Sequence, residues 1–316
     1  MDPLTHCLVG GMAAKTAGTS KRRFWIMCFL GSAPDLDVLF NGLSTNWAWI
    51  VQHRGITHSL VGIVLQSLFY AWAFARWDKG SFRERTWQYS LPIIAHVVCD
   101  YLTAFGVPLF SPFSVREYSA DLMVGLTLIP MFIMTVGLIW VHMKGERGWR
   151  GTRPVWIGWA LYLCMAISGK AYAAKLVDVP GAITIPSTGN PFTWSVVCPD
   201  NGGKIYKRYD LDLFRGRRFA RAAVPMPGEE FPIRASMSTM EVQHFLRNNR
   251  WPMARAIPTA NGSWDVEWGN LLFSTRGMVR GKMRVRVDND GTVHPPERIF
   301  SFWNPDTPGI TVSSPS

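Results

Sequence analysis

The chain has 316 residues and a formal net charge of +11; 17% of its residues are charged and 13% are aromatic, including 15 Trp. So few charges and so many Trp argue against a protein that is soluble over its whole length, because Trp anchors at membrane–water interfaces. The surplus of positive charge favours anionic partners, for which we expect membrane lipid and no nucleic acid.

The first predicted element is an amphipathic helix from Pro3 to about residue 17, with Asp2 as its N-cap. Pro34 breaks the next apolar stretch, and the clearest stretch, Leu122–Val141, contains no charged residue. The apolar stretches lie at residues 24–43, 59–75, 89–110, 122–141 and 155–169. We therefore predict a mainly α membrane bundle of about five spans, preceded by the amphipathic helix.

The sequence changes character from residue 178, where Pro and Gly mark frequent turns. Alternating runs at 193–197 and 282–287 predict strands, and Asp288–Gly291 predicts a hairpin loop. Met240–Asn248 predicts one short helix. The predicted domains are a helical membrane domain carrying the site, residues 1–177, and a small β-rich domain, residues 178–316.

Basic residues before residue 178 gather in three loops: after the amphipathic helix, after the second span and after the fourth span. The positive-inside rule makes those loops cytoplasmic. The chain is then a multi-pass protein of a bacterial inner (plasma) membrane, and five spans place residues 178–316 on the extracytoplasmic side.

Three short motifs bring Asp and His side chains into or beside apolar stretches. Such groups cost several kcal/mol each in lipid unless they pair, bind a cation or line a wet cavity, so their grouping predicts a built site. The motifs are A-P-D-L-D with Asp35 and Asp37, H-R-G-I-T-H-S with His53 and His58, and A-H-V-V-C-D with His96 and Asp100. All three lie toward the side opposite the basic loops.

The residue types in these motifs favour a divalent metal. Mixed His and carboxylate ligation suits zinc, with manganese or iron as alternatives, and the number of candidates allows one to three ions. His96 and Asp100 are four residues apart and share one helix face, so both can ligate one ion, or Asp100 can orient His96. Two further candidate ligands have structural alternatives: helix packing for His6 and helix N-capping for Asp121.

Catalytic roles follow from the same set of residues. Asp37 or Asp100 is a candidate general base. Arg54, together with Arg116, is a candidate for neutralising an anionic substrate, and a contact with lipid headgroups is the alternative for Arg54.

Five motifs resemble, in their order along the chain, those of the bacterial membrane-bound metal-dependent hydrolases, also described as LexA-binding inner-membrane-associated hydrolases. They are M-D-P-L-T-H, P-D-L-D, H-R-G-I-T-H-S, H-V-V-C-D and S-P-F-S-V-R-E-Y, and they cover about residues 1–142. The resemblance implies a multi-span inner-membrane protein with a metal centre. It implies as site positions His6, Asp35, Asp37, His53, His58, His96, Asp100 and Asp121.

A more distant likeness is to zinc phospholipase C and the single-strand nucleases of the same fold. Those proteins also have a His near the N-terminus and H-x-x-x-D on a helix. The later H-x-x-x-E motif of those enzymes is missing from this sequence, which argues against a trinuclear zinc site.

The leading functional hypothesis is a hydrolase of phosphoester bonds in a lipid or membrane-proximal substrate, such as a phospholipid or an isoprenyl phosphate, acting through metal-activated hydroxide. One alternative is a non-catalytic membrane binding or regulatory protein with a structural metal site, to which LexA binding would belong. The other is an ion- or proton-coupled transporter that uses the same Asp and His residues.

Overall fold

The computed structural model describes residues 2–37, 55–114, 116–124, 128–187, 190–200, 205–216, 218–225, 231–248, 252–275 and 278–303. Up to residue 177 the described residues form helices and loops, and strands begin at Ile183. The helices are α1 (Pro3–Thr16), α2 (Lys21–Ser32), α3 (Leu60–Ala73), α4 (Phe82–Leu102), α5 (Leu128–Met143) and α6 (Gly148–Val177). Short 3-10 turns lie at Ala33–Leu36, Ile56–His58 and Phe74–Arg76.

Helix α1 is the central helix of this part of the molecule. It begins as predicted, with Asp2 Oδ1 accepting a hydrogen bond from the Thr5 amide. It contributes Val9 and Met12 to the core shared with α4, α5 and α6, and Ala13 and Ala14 to the core shared with α2, α3 and α4. The helix lies where the sequence predicts it, but the prediction that it is amphipathic is wrong, because α1 is buried on several sides.

The prediction of about five spans is also wrong. Among the described residues, α6 is the one helix long and apolar enough to cross a membrane, while α3 and α5 are apolar but shorter. The stretch 122–141 does not form one spanning helix, because its start is extended. The amides of Leu122 and Met123 donate hydrogen bonds to the carbonyl of Leu102. The predicted extracytoplasmic location of residues 178–316 rested on the number of spans and has no support.

The C-terminal region contains two antiparallel sheets with their strands in chain order. The first consists of β1 (Ile183–Ser187), β2 (Asn190–Asp200), β3 (Ile205–Asp212) and β4 (Arg218–Pro225); the second consists of β5 (Pro252–Pro258), β6 (Trp264–Thr275), β7 (Met278–Val287) and β8 (Glu297–Trp303). Trp194 of the first sheet is fully buried against the end of α6. Trp268 of the second sheet packs under α7 (Phe231–Ser236) and α8 (Met240–Asn248).

A buried ion-pair network joins α2, α4 and the turn after α3. Arg23 donates to both oxygens of Asp78 at 2.6 Å, and Tyr89 donates to the same carboxylate at 2.8 Å. Arg23 also pairs with Glu84, and Arg85 donates to the backbone carbonyls of Ala71 in α3 and Asp78 in the turn. Both side chains of the Arg23–Asp78 pair are less than a tenth exposed, so removing either one leaves a buried charge without compensation.

We therefore expect Asp78→Ala to destabilise the helical part by about 3–5 kcal/mol. Glu84→Ala is the matched control: it removes a second carboxylate from the same arginine, but that carboxylate is 47% exposed, so we expect a loss of about 1 kcal/mol or less. Thermal unfolding of the detergent-solubilised chain measures both. Equal losses in the two variants would contradict the structural role assigned to the buried pair.

Candidate metal centre

Four segments that are distant in the sequence meet at the end of α1 that carries its N-terminus. They contribute His6 from α1, Asp35 from the 3-10 turn after α2, His58 from the 3-10 turn before α3, and His96 with Asp100 from α4. Pro34 lies in the turn that ends α2 and directs the following carboxylate inward. Ser59 caps α3 by accepting a hydrogen bond from the Gly62 amide, and so it fixes the position of His58 before it.

Four of these side chains each offer one ligand atom, and the four atoms lie within 4.8 Å of one another. The Nε2 atoms of His58 and His96 are 3.0 Å apart. Asp35 Oδ1 lies 3.3 Å from His58 Nε2 and 3.5 Å from His96 Nε2, and Asp100 Oδ2 lies 3.5 and 3.8 Å from the same two atoms. Asp35, Asp100, His58 and His96 are therefore a cluster that can hold a metal ion.

The outer nitrogens of the two imidazoles determine which atoms face the cluster. His96 Nδ1 lies 2.7 Å from the carbonyl oxygen of Gly31, which can only accept, so this nitrogen carries the proton. His58 Nδ1 lies 3.0 Å from Thr57 Oγ1, whose own proton is donated to Asp37 Oδ2 at 2.6 Å. His58 Nδ1 is therefore also a donor. In both neutral rings the lone pair is then on Nε2 and points into the cluster.

Two imidazole lone pairs 3.0 Å apart repel each other, and two carboxylates beside them add to the repulsion. Three of the four donors have almost no contact with solvent: His58, His96 and Asp100 are at most 1% exposed. Only a positive charge at the centre of the four donors turns this repulsion into attraction. A divalent cation supplies that charge, and imidazole and carboxylate ligands together suit zinc, manganese or iron.

His6 provides a fifth donor behind this group. Its Nε2 lies 3.3 Å from Asp100 Oδ1 and 4.0 Å from Asp35 Oδ2, and its ring stacks on His96 with the centroids 3.7 Å apart. Both ring nitrogens are buried, and neither makes a hydrogen bond to another described residue. A buried polar atom left in this state costs free energy, and coordination of an ion removes that cost.

Burial, reinforced by the neighbouring imidazole of His96, lowers the pKa of His6 to about 4. The ring is therefore neutral at physiological pH, which is the form that binds metals. The side chain of Asp35 is 16% exposed, so the centre is most open to solvent on this side.

Close contact between α1 and α2 brings His6 to the centre. A Cβ on Gly31 would overlap the carbonyl oxygen of His6, and a Cβ on Gly10 would overlap the carbonyl oxygen of Met27. Only glycine permits the two backbones to approach this closely. The same approach places the Gly31 carbonyl where it accepts the proton of His96 Nδ1.

The remaining sequence candidates lie around the centre or away from it. Asp37 is 3.6 Å from His58 Nδ1, on the side of the ring that faces away from the cluster. Asp121 is not one of the four clustered donors: it accepts from Ser119 Oγ at 2.9 Å and lies 3.5 Å from Lys170 Nζ. Arg116 is exposed and lies over the ring of Tyr118. His53 and Arg54 lie outside the described residues.

Three residues that sequence patterns did not single out contribute to the arrangement. Thr57 links His58 to Asp37, Gly31 orients His96 through its carbonyl, and Lys170 donates to the Ala120 carbonyl at 2.6 Å beside Asp121. A sequence motif shows neither the position of a backbone carbonyl nor the approach of a lysine that is distant in the sequence. Thr57 lies inside H-R-G-I-T-H-S, so the motif itself contained the signal.

Comparison with known proteins agrees with the membrane character of the chain. No curated protein and no solved structure matches it. The model of one family, described as YdjM inner membrane protein, matches residues 1–176, which contain every residue of the candidate metal centre. This match covers more than half of the sequence, so the chain belongs to the YdjM inner membrane protein family.

Proposed function

We propose that this inner-membrane protein is a metal-dependent hydrolase of phosphoester bonds in a lipid or membrane-proximal substrate. One observation carries the proposal: two imidazole lone pairs and two carboxylates converge on one buried point, with His6 behind them. Imidazole and carboxylate ligands together are typical of zinc, manganese and iron centres in hydrolases.

In the proposed centre Asp35, His58, His96 and Asp100 hold the ion, and His6 either completes its coordination or binds a second ion. A bound divalent cation polarises a phosphoryl oxygen and makes water a nucleophile near neutral pH. Asp37 acts through Thr57, whose hydroxyl keeps the proton on His58 Nδ1 and so fixes the ring for coordination.

The surroundings of the centre support a substrate with an apolar part. Ile56 and Leu60, on either side of His58, are 44% and 51% exposed. The amide of Leu60 donates to Leu109, and the adjoining loop exposes Phe110. Apolar side chains at the rim of a polar site fit a lipid better than a small hydrophilic phosphate. Phosphatidic acid and isoprenyl phosphates combine such a chain with a phosphomonoester.

A cation near the centre supports an anionic substrate. Lys170 is 32% exposed and binds the carbonyl of Ala120, whose own amide donates to Tyr101, the residue after Asp100. Lys170 thus accompanies Arg116 and Arg54 as a candidate for neutralising the phosphate.

The first prediction concerns metal content. We expect the purified chain to contain at least one equivalent of zinc, manganese or iron, and His96→Ala to lose that metal because it removes one of the converging donors. His294→Ala is the control, since His294 is an exposed histidine in the C-terminal region. Elemental analysis of folded protein measures both. If folded wild-type protein contains no metal and added metal does not stabilise it, the metal centre is ruled out. The positive charge between the two imidazoles would then be a shared proton.

The second prediction separates orienting residues from ligands. We expect Asp37→Asn to retain metal but to weaken its affinity by about 10–100-fold, because the variant removes a partner of the Thr57–His58 link rather than a ligand. Asp100→Asn removes a donor that faces the ion, so we expect the larger loss. Competition with a metal chelator gives both affinities. A greater loss in Asp37→Asn would reverse the two roles.

The third prediction tests catalysis. We expect the metal-loaded chain in mixed micelles to release inorganic phosphate from phosphatidic acid or an isoprenyl phosphate faster than from a short-chain phosphate ester. Asp100→Asn should reduce the release to the level of metal-free protein, whereas Asp290→Asn, at an exposed acid in a C-terminal turn, should not change it. If the metal-loaded wild type releases no phosphate from any of these substrates, the centre is not that of a phosphoester hydrolase, whatever its metal content.

A further inference from the structure

At the end of the helical part opposite the metal centre, neighbouring helix ends carry exposed cations and exposed aromatic rings. These residues are defined here as the basic–aromatic band: Lys21, Arg22, Arg76, Lys79 and Arg83 together with Trp25, Trp72, Trp77, Phe82 and Trp87. We propose that this band binds the headgroups of anionic phospholipids. The proposal does not depend on the hydrolase assignment.

Helix ends from three parts of the chain build the band: the N-terminus of α2, the C-terminal end of α3 with its following turn, and the N-terminus of α4. Arg22 Nη1 donates to the Trp77 carbonyl at 2.7 Å, which ties the first segment to the second. On α4 the band ends at Trp87, nine residues before His96, so about 14 Å of helix at 1.5 Å per residue separates the band from the metal centre. The band is therefore a separate surface.

The carboxylates of this corner are already paired. Asp78 is 7% exposed and is held by Arg23 and Tyr89, and Glu84 also pairs with Arg23. Arg85 is buried as well and donates to backbone carbonyls. The charges of Arg23 and Arg85 are thus balanced by those of Asp78 and Glu84 within this network. The positive charge of the exposed band is therefore available to an external anion.

The loop between α5 and α6 extends the positive charge of this end. The N-terminus of α6 packs beside the C-terminus of α1, where Trp156 Nε1 donates to Thr16 Oγ1 at 2.9 Å. Immediately before α6 the loop exposes Lys144 and Arg147, and the first turn of α6 exposes Arg150. Glu146 is the exposed acid among them, so the loop also has a positive net charge.

Exposed tryptophans identify a lipid surface rather than a soluble anion as the partner. The outward face of α3 exposes apolar side chains along its length: Leu60, Val64, Leu65, Leu68, Phe69 and Trp72. This face ends in Trp72, and Arg76, Trp77 and Lys79 follow in the segment after α3. The apolar face matches the acyl chains of a bilayer, the tryptophans match its interface, and the cations match anionic headgroups. Exposed tryptophan rings contribute nothing to the binding of a soluble phosphate.

The test is the stabilisation of the full chain by lipid. The purified protein in non-ionic detergent is mixed with phosphatidylglycerol or with phosphatidylcholine at equal mole fraction, and the unfolding midpoint is measured. We expect phosphatidylglycerol to raise the midpoint more than phosphatidylcholine does. We also expect 0.5 M salt to remove most of that difference, since exposed charges are screened at that concentration.

Two triple variants with the same change in net charge locate the effect. Lys21→Gln/Arg76→Gln/Lys79→Gln removes three cations of the band and should lose most of the preference for phosphatidylglycerol. Lys175→Gln/Arg215→Gln/Arg234→Gln removes three exposed cations elsewhere and should keep it. Equal responses of the two triple variants, or equal stabilisation of the wild type by the two lipids, would overturn the proposal. An equal shift with water-soluble glycerol phosphate would assign the band to a soluble anion instead and would also overturn it.

Discussion

The structure depends most on the meeting of imidazole lone pairs and carboxylates at a point that solvent hardly reaches. His58 and His96 turn their Nε2 atoms toward each other, because a hydroxyl and a backbone carbonyl hold the protons on the outer nitrogens. Such an arrangement is unfavourable without a central positive charge. The local features around it are those needed to create it: a proline turn that presents Asp35, a 3-10 turn before α3 that presents His58, and an i, i+4 pair on α4.

The helical part is polarised along its helices. One end collects His and Asp side chains that are buried and acidic overall, and the other collects exposed Lys, Arg and Trp. Helix α1 crosses the interior between the two ends, with small residues on the sides that pack against its neighbours. Charges of opposite sign are thereby kept about 20 Å apart, a separation at which salt screens one end from the other.

Four of the candidate ligands named from the sequence, Asp35, His58, His96 and Asp100, lie together in the structure, whereas the predicted architecture of about five spans is wrong. The difference has a physical reason. Site residues belong to short motifs in which neighbouring residues, such as Ser59 as a cap or Pro34 as a turn former, determine the local geometry. The number of spans depends on where apolar runs are helical. Leu122 and Met123 are as apolar as a span requires, yet they pair with the backbone at the end of α4 because that arrangement buries them in the core. Hydropathy predicts that Leu122 and Met123 are buried, but not whether they are buried in a helix or in an extended segment.

Basic residues show the same ambiguity. The positive-inside rule treats clusters of basic residues as loop charges, but Arg23 and Arg85 are buried and serve the network around Asp78. Lys21 lies two residues before Arg23, Arg83 lies two residues before Arg85, and both are exposed. A sequence cannot separate buried from exposed basic residues, because the difference lies in whether acceptors from another segment reach the side chain. The carboxylate of Asp78 reaches Arg23, and backbone carbonyls reach Arg85. These buried contacts hold together the three segments that carry the exposed cations, and so they position the outward-facing charge.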